Sequence, residues 1–214
     1  AQLGRGRVDF LTGNYERARD VFERIIAQND KIMPAYDYLA KTLLKLGSPQ
    51  EAQDILIKAV AISPRALLRH KDLGHLAFRN EDFKTAETSF RAAVDQGKNS
   101  CFKSPSDYTH LAKTLVHCDA PQESLKVLGH ALHEFPDNSD TRLHVSVAES
   151  YVYTKMNKNT EAKRALTDAQ KFAADLTEEI PHDLALDLAQ AYLMTGEKEK
   201  GTALIKNIGS CHHD

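Results

Sequence analysis

The chain has 214 residues, 27% of them charged and 42% hydrophobic, and its 28 Lys+Arg against 30 Asp+Glu give a formal net charge of −2. That balance, with no basic stripe of interleaved aromatics, excludes a nucleic-acid surface, and no apolar run approaches the roughly 18 residues that a membrane-spanning helix needs. Three cysteines, Cys101, Cys118 and Cys211, lack any paired spacing, so free thiols in a reducing, cytoplasmic setting are expected.

The elements repeat. Ala18, Ala52 and Ala86 stand at a 34-residue interval, each inside the pattern of two helices joined by a turn. A repeat of this length is a unit that buries its apolar face only by stacking on copies of itself. The first unit, 1–32, carries Gly6, Gly13, Tyr15, Ala18 and Phe22, with Gln2 and Arg5 where large apolar residues belong. The second, 33–66, has Tyr36, Leu39, Ala40 and Leu43 at helical spacing, then Gly47, Ala52, Leu56, Ala59 and Pro64. The third, 67–100, keeps Leu73, Gly74, Phe83, Ala86, Phe90 and Ala93, with His70 at the aromatic position.

The fourth unit, 105–138, restates the second with Tyr108, Leu111, Ala112, Leu115, Ser124, Leu128, Ala131 and Pro136. Both contain the run Leu-Ala-Lys-Thr-Leu, at 39–43 and 111–115. The fifth, 141–178, is degenerate and keeps Tyr153, Ala162, Leu166 and Ala169. The sixth, 182–209, returns with Leu188, Ala189, Tyr192, Gly196 and Ile205, but Gly201 stands in the alanine's place. The interval from Ala86 to Ser124 is 38 residues, as is that from Ser124 to Ala162, and Ala162 to Gly201 is 39. Gln96–Ser106 has loop chemistry, with Ser106 or Asp107 as cap of the next helix. It is either a partner-contacting insertion or a spacer. Longer helices near Leu166–Leu176 are expected to absorb the last difference.

Small residues at Ala40, Gly74, Ala112 and Ala189 let paired helices approach, and Leu56, Phe90 and Leu128 fill the space between units. Pro34, Pro64 and Pro136 open or close helices. Strand alternation and Asn-Gly hairpins are missing, so the expected class is all-α. The recurring residues resemble those of tetratricopeptide repeat proteins. That resemblance implies a right-handed superhelical solenoid of about six helix–turn–helix units forming one continuous stack over 1–214.

In that architecture the first helix of each unit lines the concave face. Carrying the motif across puts Arg7, Lys41, His75 and Lys113 in one groove row. Asp37, Lys71 and Thr109 fall in a second, and Phe10, Leu44, Phe78 and Val116 in a third. Tyr151 joins the lining. A basic row beside an apolar row suits an extended or helical protein segment with acidic and apolar side chains. The specialised clamp that holds acidic chaperone C-termini needs asparagines that are missing from Ala1–Thr12 and Pro34–Leu46.

Catalytic residues, cofactors and metal ligands are not expected. His130 with His133 and the terminal Cys211-His212-His213-Asp214 lack the second ligand pair of a structural zinc site. Glu178 and Glu179 read as charge on a solvated segment. No phosphate loop or nucleophile elbow occurs. The chain reads as a non-catalytic interaction module.

A narrower resemblance lies in Tyr36–Leu115. It rests on Tyr36-Asp37-Tyr38-Leu39-Ala40, Glu51-Ala52-Gln53, Ile62-Ser63-Pro64-Arg65, Leu73-Gly74, Ala86-Glu87, Phe90-Arg91, Gly97, Ser100, Ser104-Pro105 and Asp107-Tyr108. This stretch looks like the repeat half of bacterial response regulators that join a receiver domain to tetratricopeptide repeats. It implies an adaptor in two-component signalling, with a receiver upstream of Ala1 and no phosphorylation site within the chain. An assembly scaffold for an envelope or pilus complex, or a sensor of peptides or small molecules, stays open beside it. Ala203, Leu204, Ile205 and Ile208 on the last helix lead to an expected homodimer through the C-terminal unit.

Overall fold

The computed structural model describes residues 2–136, 138–176 and 180–210, with the backbone alone at 209 and 210. Among the described residues it contains twelve α-helices and no strand. They fall into two compact units, divided between Cys101 and Phe102, inside the segment that the sequence marks as an insertion.

The first unit holds α1 (Gln2–Leu11), α2 (Tyr15–Gln28), α3 (Met33–Lys45), α4 (Pro49–Ile62), α5 (Leu67–Arg79) and α6 (Phe83–Gly97). Its core joins Ala18, Phe22 and Ile25 of α2 to Leu39, Ala40 and Leu43 of α3, and these to Leu56 and Leu73. Two glycines set how closely the helices of a pair approach. A Cβ at Gly6 would lie 2.7 Å from the Phe22 ring, and one at Gly74 would lie 2.7 Å from the Phe90 ring. Glycine inside a helix costs about 1 kcal/mol, whereas fully burying a phenylalanine contributes about 1.5–3 kcal/mol. Phe22 and Phe90 are 0% and 1% exposed, so the exchange favours glycine. His70, at the aromatic position, is buried, with Nε2 2.9 Å from the Pro64 carbonyl oxygen.

The second unit holds α7 (Pro105–His117), α8 (Pro121–Glu134), α9 (Ser139–Lys155), α10 (Asn159–Ala174), α11 (His182–Thr195) and α12 (Lys198–Ser210). One core cluster runs from Leu143 and Val147 of α9 through Leu166 and Ala169 to Leu184, Leu188 and Tyr192. Serine in the small position of α8 is satisfied, because Ser124 Oγ donates to the Ala112 carbonyl at 2.8 Å. Gly201 also has a reason. A Cβ there would sit 2.9 Å from Leu193 Cγ and 3.0 Å from the Ala189 carbonyl oxygen, too close for the alanine of the other units.

The longer intervals have separate causes. Between α6 and α7 a true loop covers 98–104, shorter than expected because α6 reaches Gly97 and α7 begins at Pro105. The cap of α7 is Ser104, not Ser106 or Asp107. Pro105 has no N–H and takes the first helical position. Ser104 Oγ accepts from the Ser106 amide at 3.3 Å, and Asp107 accepts from the Ser104 amide at 3.2 Å. In the next interval the extra residues lie within α9, which has 17 residues where α7 has 13. In the last, two of the extra residues lie within α10, which has 16 residues where α8 has 14.

Candidate functional site

In the first unit, Asp37, Lys41 and Leu44 lie at helical spacing on one face of α3. Asp72, His75, Leu76 and Arg79 do the same on α5. With Ala40 and with Leu56 of α4, these side chains enclose a cavity of about 210 Å³. Its floor is apolar, since Ala40, Leu56 and Leu76 are all buried. Its rim is charged, and Lys41, Asp72 and Arg79 are exposed.

The rim charges differ in how far they are committed. Arg69 holds Asp37 in a forked pair, Nε to Oδ1 at 2.7 Å and Nη2 to Oδ2 at 3.0 Å. Such bidentate pairs fix geometry as well as charge. Lys41 has no ion pair among the described residues but lies with its Nζ 5.8 Å above the Tyr38 ring, and the Arg7 guanidinium lies 5.4 Å from the same ring. The Tyr38 ring therefore has one cation near it from α1 and one from α3. Phe10 braces it edge-on at 5.9 Å. Partial desolvation beside α3, together with the like charge of Asp37, raises the Asp72 carboxyl above its ordinary value, while Lys41, His75 and Arg69 pull it down.

Of the residues that the motif places in the groove, Asp37, Lys41, Leu44 and His75 share this cavity. Arg7 and Phe10 adjoin it through Tyr38. Phe78 packs edge-on against Phe83 at 5.4 Å and Lys71 is half-buried, both apart from the cavity lining. Asp72 and Arg79 were missed. Their signal was available: Asp72 lies three residues before His75 and Arg79 four after it, hence on the same face.

The second unit treats the corresponding positions differently. Lys113 is 7% exposed, and its ammonium pairs with Asp187 of α11. Thr109 is buried and donates to the Ser106 carbonyl at 3.1 Å. Tyr151 of α9 is buried with its hydroxyl 2.7 Å from His117 Nε2, and Lys155 lies 5.6 Å from its ring. Burial and the Asp187 charge push the Tyr151 phenol up. Burial pulls the His144 imidazole below its usual value, against the carboxylates of Asp140, Asp183 and Asp187 and together with Lys113. Val116 is half-buried. Side chains of this unit engage one another where those of the first leave charges at a rim.

Among the described residues no group of three or more His, Cys, Asp or Glu is placed to hold a metal ion. His130 and His133 are exposed on α8. Cys211-His212-His213-Asp214 and Glu178 with Glu179 lie outside the described residues. Cys101 and Cys118 are not in a disulfide. No described helix is long and apolar enough to cross a membrane.

The described helices form repeated hairpins, and comparison with known proteins places that architecture. Residues 39–100 match the tetratricopeptide repeat family model. The sequence is 28% identical over 139 residues to human tetratricopeptide repeat protein 13, an alignment that spans 64% of this chain and 15% of that protein. In structure it is similar to a tetratricopeptide repeat protein from Parabacteroides merdae, with a TM-score of 0.69, 17% identity, and 100% of this chain and 78% of that one covered. It is likewise similar to the nearly identical tetratricopeptide-like repeats of a putative kinesin light chain from Podosopora anserina, with a TM-score of 0.63, 18% identity, and 83% of this chain and 96% of that one covered. At those identities the structural likeness is one of fold. Residues 39–100 thus carry tetratricopeptide repeats, and the described helices share their fold with these solved structures.

Proposed function

We propose that the groove of the first unit holds a segment of a partner protein bearing acidic and apolar side chains, and that the chain is the output half of a bacterial two-component response regulator. The tetratricopeptide fold itself suggests a protein–protein interaction module, and proteins of this fold are generally non-catalytic. The observation that carries the groove reading is the α3–α5 cavity, where an apolar floor meets the exposed ammonium of Lys41, which has no ion pair among the described residues. Its volume of about 210 Å³ falls below the roughly 300–1,000 Å³ of sites that enclose a drug-sized molecule. That size favours one anchoring side chain of a larger partner. The signalling role rests on the sequence resemblance across Tyr36–Leu115.

A photo-crosslinker in place of Leu44 tests the groove, with the same protein carrying Lys41→Glu as control. The expected result is a crosslinked partner protein whose yield drops at least several-fold with Lys41→Glu; equal yields remove the groove from the interface. For the signalling role, the full-length protein is treated with a small-molecule phosphodonor. Phosphorylation of a receiver domain that alters recovery of the same partner is expected. A full-length protein that takes up no phosphoryl group overturns it.

A further inference from the structure

Three features go beyond the groove reading: the Lys113–Asp187 pair, the exposed isoleucine of α12, and the second carboxylate of the α3–α5 cavity. The last goes furthest. The Leu-Ala-Lys-Thr-Leu run provides an internal comparison. In the second unit its lysine, Lys113, is buried on a carboxylate of its own chain, Asp187. In the first unit the same register leaves Lys41 exposed with no ion pair among the described residues. A carboxylate brought by a partner would complete Lys41 as Asp187 completes Lys113.

That leaves Asp72. It lines the cavity, is exposed, and forms no ion pair or hydrogen bond among the described residues. The other cavity carboxylate, Asp37, is already held by Arg69. The rim charges without an ion pair among the described residues are therefore Lys41 and Arg79 on one side and Asp72, which feels the Lys41 charge, on the other. A purely acidic segment would satisfy the two cations and press its remaining charge against Asp72. Like charges brought together at an interface select against a partner.

We propose that the groove selects a segment of both charges around an apolar anchor, with Lys41 and Arg79 taking its carboxylate and Asp72 its basic residue. This rests on the groove being the partner site. The apolar anchor enters between Ala40, Leu56 and Leu76, and the two flanking charges set its direction along α3 and α5. Asp72 thereby acts as a specificity residue: it rejects acidic runs and fixes the orientation of the bound segment.

The test uses the whole chain and four fluorescent helical peptides of equal length with one central leucine. They differ in the residues one turn before and after it: Glu and Lys, Lys and Glu, both Glu, or both Lys. Anisotropy at low salt is expected to rank one mixed-charge peptide tightest, ahead of the doubly acidic one by about threefold or more, the scale of a single exposed ion pair. Asp72→Asn should weaken the preferred mixed peptide and strengthen the doubly acidic one, cancelling that preference. Should the doubly acidic peptide bind best to the unaltered chain, with Lys41→Glu abolishing it, the charge pattern is overturned while the groove reading stands. Binding of none of the four at millimolar concentration, or binding that Lys41→Glu leaves unchanged, overturns both.

Discussion

Between the two helices of each hairpin the backbone passes through one left-handed residue. Glycine fills that place at Gly13, Gly47 and Gly196, with φ of 81°, 78° and 93°, and Glu81, Asp119 and Asn157 fill it at 61°, 58° and 59°. The left-handed region costs a residue with a Cβ about 1–2 kcal/mol, less for Asn and Asp, which visit it more readily. Glycine escapes that cost but loses about 0.5–1 kcal/mol more chain entropy on folding. Glu81 is the least suited of the six, and its side chain is exposed. Replacing it, Glu81→Gly, is expected to raise stability by about 0.5–1 kcal/mol. Asn157→Gly should change little. Urea unfolding followed by circular dichroism measures both, and a loss of stability in Glu81→Gly would refute the strain argument. The three glycines made their turns readable in the sequence. The other three turns carry no such mark and were legible only through the repeat interval.

Among the elements, α3 and α7 share five consecutive residues and most of their local structure. Leu39 and Leu111, Ala40 and Ala112, and Leu43 and Leu115 are all buried. Thr42 and Thr114 each donate to the carbonyl four residues earlier at 2.7 Å. The lysines alone part company. This much of the helix was legible, because helical period and residue size determine which face is buried. The fate of Lys113 was not, since it depends on Asp187 in another hairpin, a contact that no local pattern encodes. The indistinct repeat in α9 has a similar origin. Leu143, Val145, Val147, Ala148, Tyr151 and Val152 are all buried, and a helix buried all round has no apolar stripe to read. The Lys113–Asp187 pair makes an asymmetric prediction. Its lysine side chain is 9% exposed and its aspartate 28%. Asp187→Asn leaves a buried ammonium without its counter-charge and is expected to cost about 1–3 kcal/mol. Lys113→Met keeps the aliphatic length of the buried chain and leaves Asp187, 28% exposed, within reach of water, so its cost should stay below that of Asp187→Asn. Thermal unfolding of both variants decides, and equal losses would mean that the pair contributes through attraction and not through avoided desolvation.

For the molecule as a whole, the open question is what meets its exposed apolar surface at the sixth hairpin. Ile205 of α12 is 43% exposed, and Leu193 and Leu186 of α11 are 38% and 43% exposed. Ile208 and Leu204 are half-buried. Single exposed leucines are ordinary, but several gathered on one hairpin mark a surface that associates or aggregates. Charge on this helix is sparse beside the apolar side chains, with Lys198, Glu199 and Lys200 at its start and exposed Lys206 next to Ile205. A second copy is the partner always present at matching concentration, and an isologous contact would cover the same face on both chains. We therefore expect a homodimer through α12. Sedimentation equilibrium across micromolar concentrations should show a mass rising from one chain to two, and Ile205→Asp should hold it at one without altering the helical content. A single-chain mass throughout would assign the exposed face to another protein or leave it bare, and a dimer that survives Ile205→Asp would move the contact to a different surface.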